Sequence, residues 1–461
     1  MHQQPQTPDE RYGYGRSQRE QAPLESHADW SPATRLADPV ALIEEQNTNR
    51  VPWLVPVRRK RMSRSSFTFF RGSARIMASD LAETPNSGIQ TQLCGDAHLA
   101  NFGVYASPGR RLVFDLNDFD ETLPGPWEWD VKRLAASLFI AGRYNGLDEN
   151  RTRKVIKRAV VAYQTAIEEF SKMRVTDIWY NLFESDRMIE MLKKNKLKKA
   201  GIKLIEKARR KDSRHALERL AEEVNGKYRI RSAPPLLIPI RDLPDTEMGD
   251  QLESIVLENY EQYRHNTSDE MEHLLGNYRI IDFAVKVVGV GSVGTRCAIL
   301  LLEGRDRNDP LFLQIKQANK SVLEEHLPKS RYQNSAERVV QGQRLMQGAS
   351  DIFLGWTENK ASGNQYYLRQ LKDWKGSADI EALDFKRLKY IATIRGWNLA
   401  RSHARSGDVI AISGYLGTGT TFAKSIAEFS ACYSDQNESD YEAYLNEIRS
   451  RGLKVSVDDH T

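Results

Sequence analysis

Apolar residues along this chain recur with two different periods, and the period changes with position. Gln90–Leu93 and Leu112–Leu116 read as short strands, and Ser107-Pro108-Gly109 between them supplies a turn. Past Asp130 the spacing widens. Val131, Leu134, Ala135, Leu138 and Phe139 fall at i, i+3, i+4, i+7 and i+8, the face of a helix. Helical patterns continue to about Asn225, and Pro234-Pro235 breaks them. Near Tyr278 the strand period returns in Phe283–Val288, Ala298–Leu302 and Leu311–Ile315. A helical pattern covers Ala336 to Gln347, and a strand covers Gln365–Leu371. Leu388, Ile391, Ala392 and Leu399 then mark a helix running to His403 and stopping near Gly407. Upstream, a helix starts at Pro39, and Val51–Val57 reads as extended because of Pro52 and Pro56. Phe67–Phe70 is an apolar run leading into Arg71-Gly72.

Composition adds bounds. At 461 residues the chain exceeds what one core usually serves, so two lobes are expected. Forty percent hydrophobic and 28 percent charged residues fit a soluble globular protein, and a net charge of +5 does not by itself argue for nucleic acid. Cys94, Cys297 and Cys432 are too scattered for a disulfide framework or a C-x-x-C pair, which suits reduced thiols. No leading apolar segment and no apolar run of membrane length is visible, so a cytoplasmic location is expected. Residues 1–36 are poor in aliphatics and predict a disordered tail. Residues 193–211 hold ten Lys or Arg against one Glu. That is a solvated helix face or a docking surface for an acidic partner.

The chemistry concentrates in two places. Residues 94–101 read Cys-Gly-Asp-Ala-His-Leu-Ala-Asn, and after one hairpin comes Asn117-Asp118-Phe119-Asp120. An aspartate, an asparagine five residues on and an Asp-Phe-Asp after a hairpin suit phosphoryl transfer. Asp96 would orient and deprotonate an attacking hydroxyl, while Asn101 and Asp118 would hold Mg²⁺. Asp115 and Asp120 compete with Asp118 for metal. His98 is assigned to bracing the loop. Asp130, opening a helix, is expected to accept backbone N–H bonds from that loop.

The second place is Gly289-Val290-Gly291-Ser292-Val293-Gly294. Such a loop can open a dinucleotide-binding unit, but a helix must then follow, and Thr-Arg-Cys-Ala-Ile-Leu-Leu-Leu is strand-like. Strand, glycine loop, strand, turn and a strand ending at Lys316 match instead the phosphate-covering hairpin of kinases. Gly289, Gly291, Ser292 and Gly294 would line the phosphates and Lys316 would touch them. Lys316 needs a carboxylate. Glu337, on the following helix, is the first choice, with Glu324 and Glu325 as alternatives. Arg71 is expected near the cleft, either binding an anionic group of the acceptor or bracing Asp96 or Asp120; a structural salt bridge is the alternative.

Residues 94–101 resemble the His-Gly-Asp-x-His-x-x-Asn loop of aminoglycoside phosphotransferases and their protein-kinase-like relatives, with Cys94 replacing the histidine. Residues 117–130 resemble their Asp-Phe-Gly segment, with Asp120 in place of the glycine. Phe-Phe-Arg-Gly at 69–72, Glu-Trp-Asp-Val-Lys-Arg-Leu at 128–134, Gly-Val-Gly-Ser-Val-Gly-Thr-Arg at 289–296 and Ala-Arg-Ser-His-Ala-Arg-Ser-Gly-Asp at 400–408 are also similar to a bacterial family known as domain of unknown function 2252. That resemblance supplies no substrate.

The order of the motifs sets the expected architecture. The glycine loop follows the Asp96 loop by nearly two hundred residues, whereas a kinase has the reverse order. The expectation is an α+β, two-lobed, protein-kinase-like fold in circularly permuted order. Residues 37–277 would form the catalytic region with a helical insert, 278–375 the nucleotide lobe, and 376–461 a helical return. The expected activity is ATP- and Mg²⁺-dependent phosphotransfer to an unidentified hydroxyl. Nucleotidyl transfer and a nucleotide-binding pseudokinase are the alternatives.

Overall fold

The computed structural model describes residues 7–35, 37–190, 195–243, 246–287, 289–371, 374–376 and 379–456. It is an α+β protein with strands β1 Gln90–Leu93, β2 Phe102–Ala106, β3 Leu112–Leu116, β4 Leu123–Pro126, β5 Ala221–Val224, β6 Lys227–Ile230, β7 Leu237–Pro239, β8 Arg279–Lys286, β9 Cys297–Glu303, β10 Pro310–Ala318, β11 Gly355–Glu358 and β12 Gln365–Gln370. Six of them form an antiparallel sheet in the order β11-β12-β10-β9-β8-β7. β9 is apolar at almost every position because both of its faces are covered. Leu300 and Leu302 pack beneath Tyr260 and Tyr263 of helix Thr246–His265. Ile299 and Leu301 pack against Leu217 and Leu220 of helix Ser213–Leu220. Residues 213–276 therefore join the sheet, although their sequence pattern groups them with the preceding helices.

The larger core lies among helices Glu128–Tyr144, Glu149–Ser171, Phe385–Ser406 and Thr421–Ser450. Helices Glu149–Ser171 and Phe385–Ser406 meet closely at Gly396, where a Cβ would lie 2.1 Å from the Ala159 carbonyl oxygen. Two small ladders sit on this core. β2 pairs with β3 as a hairpin turned at Ser107–Arg111, with Arg110 at φ 56°. β1 pairs with β4, from 123–126, rather than with the strand that follows it.

Two expectations are corrected. Val51–Val57 is not extended: Pro52 opens the short turn Pro52–Leu54, and Pro56 sits in the first turn of helix Val55–Met62. Proline lacks an N–H that the first helical turn does not use, so it starts helices as readily as it ends them. The N-terminal segment is also not a disordered tail from residue 7 onward; residues 1–6 lie outside the described residues. Thr7 caps helix Pro8–Ser17, which crosses helix Val409–Leu416 so tightly that a Cβ on Gly15 would lie 1.8 Å from the Ala411 carbonyl oxygen. Arg11 forks onto Asp408 at 2.6 and 2.9 Å, and His27 and Trp30 are buried. This segment orders through glycine contacts and ion pairs, which an aliphatic count does not register.

Candidate functional site

β1 delivers the chain into the 94–101 loop, and Gly95 turns it at φ 83°. A Cβ there would sit 2.2 Å from the Glu121 carbonyl oxygen, so the close approach of the two loops requires glycine. Asp130 accepts the backbone N–H of Cys94 at 2.7 Å and of Gly95 at 3.0 Å, as its position at the helix start implied. Behind it, His403 Nε2 lies 3.3 Å from Asp130, and His403 Nδ1 meets the Tyr163 hydroxyl at 2.8 Å. His403 stood inside one of the quoted motif segments but had no assigned role.

Asp96 lines the cleft. Its Oδ1 accepts from Arg133 Nε at 2.8 Å, and Arg133 also donates to the Phe70 carbonyl at 2.6 Å. Burial pushes the Asp96 carboxyl up, and Arg133 opposes that shift. His98 Nδ1 accepts the Ala100 N–H at 3.1 Å, which leaves the proton on Nε2, 3.6 Å from Asp96 Oδ2. Burial, then the charges of Arg71 and Arg133, drive the His98 pKa well down, so this imidazole is neutral. Asn101 ties the two loops together. Its amide donates to the Asp96 and Asp118 carbonyls, both at 2.9 Å, and its Oδ1 accepts the Asp118 N–H at 2.8 Å. The Cys94 thiol donates to the Asp118 carbonyl at 3.2 Å. Burial pushes that thiol up and keeps it protonated for the purpose.

The β2–β3 hairpin carries the chain to Asp118 and Asp120. Asp115, inside β3, points away and is held by Arg401 at 2.7 and 2.8 Å in the core, so it does not compete for metal. Lys316, on β10, is buried and reaches over to Asp120 in a short ion pair, with Asp118 at 3.7 Å. Ser292 of the glycine loop donates to the same Asp120 oxygen at 3.3 Å, and the Tyr367 hydroxyl donates to the other at 2.8 Å. Burial works against both charges of the pair. The two aspartates nonetheless hold Lys316 well above its usual pKa, and Lys316 with Tyr367 holds Asp120 below the usual carboxylate value. Asp118 moves the other way, raised by burial and by Asp120.

The carboxylate chosen for Lys316 is corrected here. The ion partners of Lys316 among the described residues are Asp118 and Asp120, not Glu337. Glu325 pairs with Arg75 at 2.9 Å, and Glu324 lies 3.9 Å from Arg338. In helix Ser335–Met346 it is Arg338, one position past Glu337, that faces the site. It donates to the carbonyls of Thr122 at 2.6 Å and of Asp120 and Asn319 at 2.8 Å. Helical geometry turns adjacent residues about 100° apart, so one step in register exchanges the carboxylate for a guanidinium. Arg369 closes the set by donating to the Asn117 carbonyl at 2.9 Å. Sequence reasoning missed Arg338, Tyr367 and Arg369, which carry no local motif, and gave no role to Arg133, which stands inside the quoted 128–134 segment.

One cleft of about 1150 Å³ is lined by Arg71, Asp96, His98, Asn101, Asp118 and Asp120 on one side and by Gly289, Gly291 and Ser292 on the other, with Lys316 buried just behind Asp120. Gly289 and Gly294 adopt φ of 66° and 93°. The loop is clasped from outside: Val51 N–H donates to the Gly294 carbonyl at 2.8 Å, and Arg50 and Arg61 bond the carbonyls of Val293 and Gly289. Among the described residues no three His, Cys, Asp or Glu side chains cluster as a closed metal cage. Asp118 and Asp120 are hard oxygen donors of the kind Mg²⁺ uses when phosphates and water complete its shell, whereas Asn101 Oδ1 already accepts the N–H groups of Asp118 at 2.8 Å and Asn117 at 3.4 Å. Among the described residues none of the basic run lines this cleft; Lys193 and Lys194 lie outside the described residues, and Asn195–Arg209 is helical.

The fold and site thus define an α+β protein with a polar, charge-lined cleft between a sheet lobe and a helical lobe. No described helix is long and apolar enough to cross a membrane. Residues 50–447 match the model of a family described as an uncharacterised protein conserved in bacteria (DUF2252), and the chain belongs to that family. No curated protein and no solved structure matches it.

Proposed function

We propose that this protein is an ATP- and Mg²⁺-dependent phosphotransferase with a circularly permuted kinase-like fold. One observation carries the reading: Lys316 and Ser292, from the sheet lobe, converge on Asp118 and Asp120, which lie nearly two hundred residues earlier in the chain. The order within the sheet lobe adds support. The glycine loop joins its β8 and β9, the lysine is on the next strand, and a helix follows before the last two strands. So does the junction between the ends of the motif order. Helix Phe385–Ser406 stops against β1, with a Cβ on Gly407 falling 3.0 Å from the Gln90 carbonyl oxygen, so it abuts the strand leading into the Asp96 loop.

In this reading the glycine-loop amides and Lys316 orient the nucleotide phosphates, and Asp118 and Asp120 would hold the metal, with Asn101 Oδ1 joining them once it releases the Asn117 N–H. Bound Mg²⁺ would neutralise phosphate charge. Asp96 orients the acceptor hydroxyl and takes its proton as the O–P bond forms and the bond to the ADP leaving group breaks. Arg133 fixes the Asp96 carboxylate, and the neutral His98 ring lies beside it with Nε2 at 3.6 Å. General-base assistance of this kind is worth roughly 10²–10⁴-fold in rate.

The test combines calorimetry with labelled ATP. Asp118→Ala should abolish Mg-ATP binding and Lys316→Ala should weaken it. Asp96→Ala should keep binding and lose transfer of the γ-label to extract acceptors. Equal Mg-ATP affinity in wild type and Asp118→Ala refutes the assignment. A label that moves from the α-phosphate redirects it to nucleotidyl transfer.

A further inference from the structure

Arg71 stands out among the arginines of the cleft. Arg50, Arg75, Arg296 and Arg369, which also line it, and Arg133 and Arg338 behind it each bond a carbonyl, carboxylate or amide oxygen of the fold. Arg71 lines the cleft beside Asp96 and His98, yet it forms no hydrogen bond or ion pair with any described residue, and its Nε is buried without a partner. Its helix, Ser66–Gly72, is anchored by buried Phe67, Phe69 and Phe70, so the guanidinium stands on a rigid base. The bracing roles open to it are already filled: Arg133 holds Asp96, and Lys316 holds Asp120. Asp96 and Glu381 attract its charge, but Arg61 and Arg64 repel it, and Arg64 is exposed. A half-buried guanidinium left unpaired beside like charges costs folding free energy that an anion would recover.

The surrounding walls limit what that anion belongs to. The Arg71 carbonyl comes close to the glycine loop, since a Cβ on Gly291 would lie 3.2 Å from it. Arg50 and Arg61 clasp that loop, and Arg75 pairs with Glu45 and Glu325 farther round. The stretches 45–50 and 71–75 thus wall one end of the cleft. Among the described residues the cleft lining contains no Phe, Tyr or Trp.

We propose that the acceptor is a small polar molecule that carries an oxyanion, phosphate or carboxylate, close to its reacting hydroxyl, and that Arg71 binds this group through its planar fork. The proposal rests on the phosphotransferase reading for the hydroxyl; the oxyanion site itself is tested separately. Inorganic phosphate and acetate are titrated by calorimetry, at constant ionic strength, into the full chain saturated with Mg-ADP. Wild type should bind at least one of them. Arg71→Gln should weaken that binding at least tenfold and Arg71→Lys less, with Mg-ADP affinity unchanged. Arg143→Gln, on a surface pair with Asp435, should change nothing. No binding of either anion to wild type, or equal binding to Arg71→Gln, overturns the proposal. A parallel arm uses Mg-ADP with fluoroaluminate, a mimic of the phosphoryl group in transit. Loss of fluoroaluminate binding in Arg71→Gln assigns the arginine to the transferring group and also overturns the proposal. If wild type binds no Mg-ADP, the phosphotransferase reading fails, and the anion arms run without nucleotide still decide the site.

Discussion

Replacing Asp130 by asparagine isolates the brace beneath the Asp96 loop. The carboxylate is buried and accepts two backbone N–H groups, from Cys94 at 2.7 Å and Gly95 at 3.0 Å. Asparagine keeps the shape and one carbonyl oxygen, but its NH₂ then faces one of those N–H groups. A hydrogen bond to a charged group contributes about 1.5–3 kcal/mol, and a buried donor left without acceptor costs about 1–3 kcal/mol. The two are not additive, because breaking the first creates the second, so the expected loss is about 2–4 kcal/mol. At about 1.4 kcal/mol per factor of ten, local opening of the loop becomes roughly 30- to 700-fold more frequent. Hydrogen exchange read by mass spectrometry on peptides covering residues 90–100 measures this directly. The sheet lobe, which Asp130 does not touch, serves as internal control. Exchange of the 90–100 peptides within about threefold of wild type refutes the argument that Asp130 holds the loop.

Lys132 is fully buried with its ammonium unpartnered over the Phe429 ring, and burial lowers its pKa to about 7, with Glu128 and Asp29 opposing. The unfolded chain binds that proton up to about pH 10.5, so the folded state is penalised fully below pH 7 and progressively less as pH rises toward 10. Lys132→Met should therefore raise the unfolding free energy read from urea titrations most at pH 6–7, by an amount on the order of 5 kcal/mol, with the difference shrinking by pH 10; a pH-independent difference contradicts the reasoning. Gly396→Ala should lower the melting temperature although alanine gains about 1 kcal/mol of helix propensity, because the new Cβ would meet the Ala159 carbonyl oxygen at 2.1 Å. A raised melting temperature in that variant rejects the close-packing account.

Local pattern determined a large share of this protein. The helix from Val131 to Phe139 was legible because its apolar residues recur at helical spacing, and the strands at 112–116 and 298–302 because short strands buried on both faces read as apolar runs. The Asp96 loop, the Asp118 segment and the glycine loop were legible because tight turns and close backbone approach demand particular residues at fixed spacing; Gly95 at φ 83° and Gly289 at 66° are instances. Asp130 was legible as a brace for a similar reason, since a carboxylate at a helix start looks for N–H groups. Pairings across the fold were decided otherwise. Whether Lys316 meets Glu337 or Asp120 depends on a one-residue register in helix Ser335–Met346 and on how far the 118–122 loop reaches across the cleft. Whether Arg71 or Arg133 holds Asp96 depends on which of two helices presents its arginine to that oxygen. The ordering of residues 8–34 depends on a glycine crossing and an ion pair with residues nearly four hundred positions away. A charge attracts any opposite charge brought near it, so sequence names the candidates for each pair, and only the packed chain selects the partner by distance.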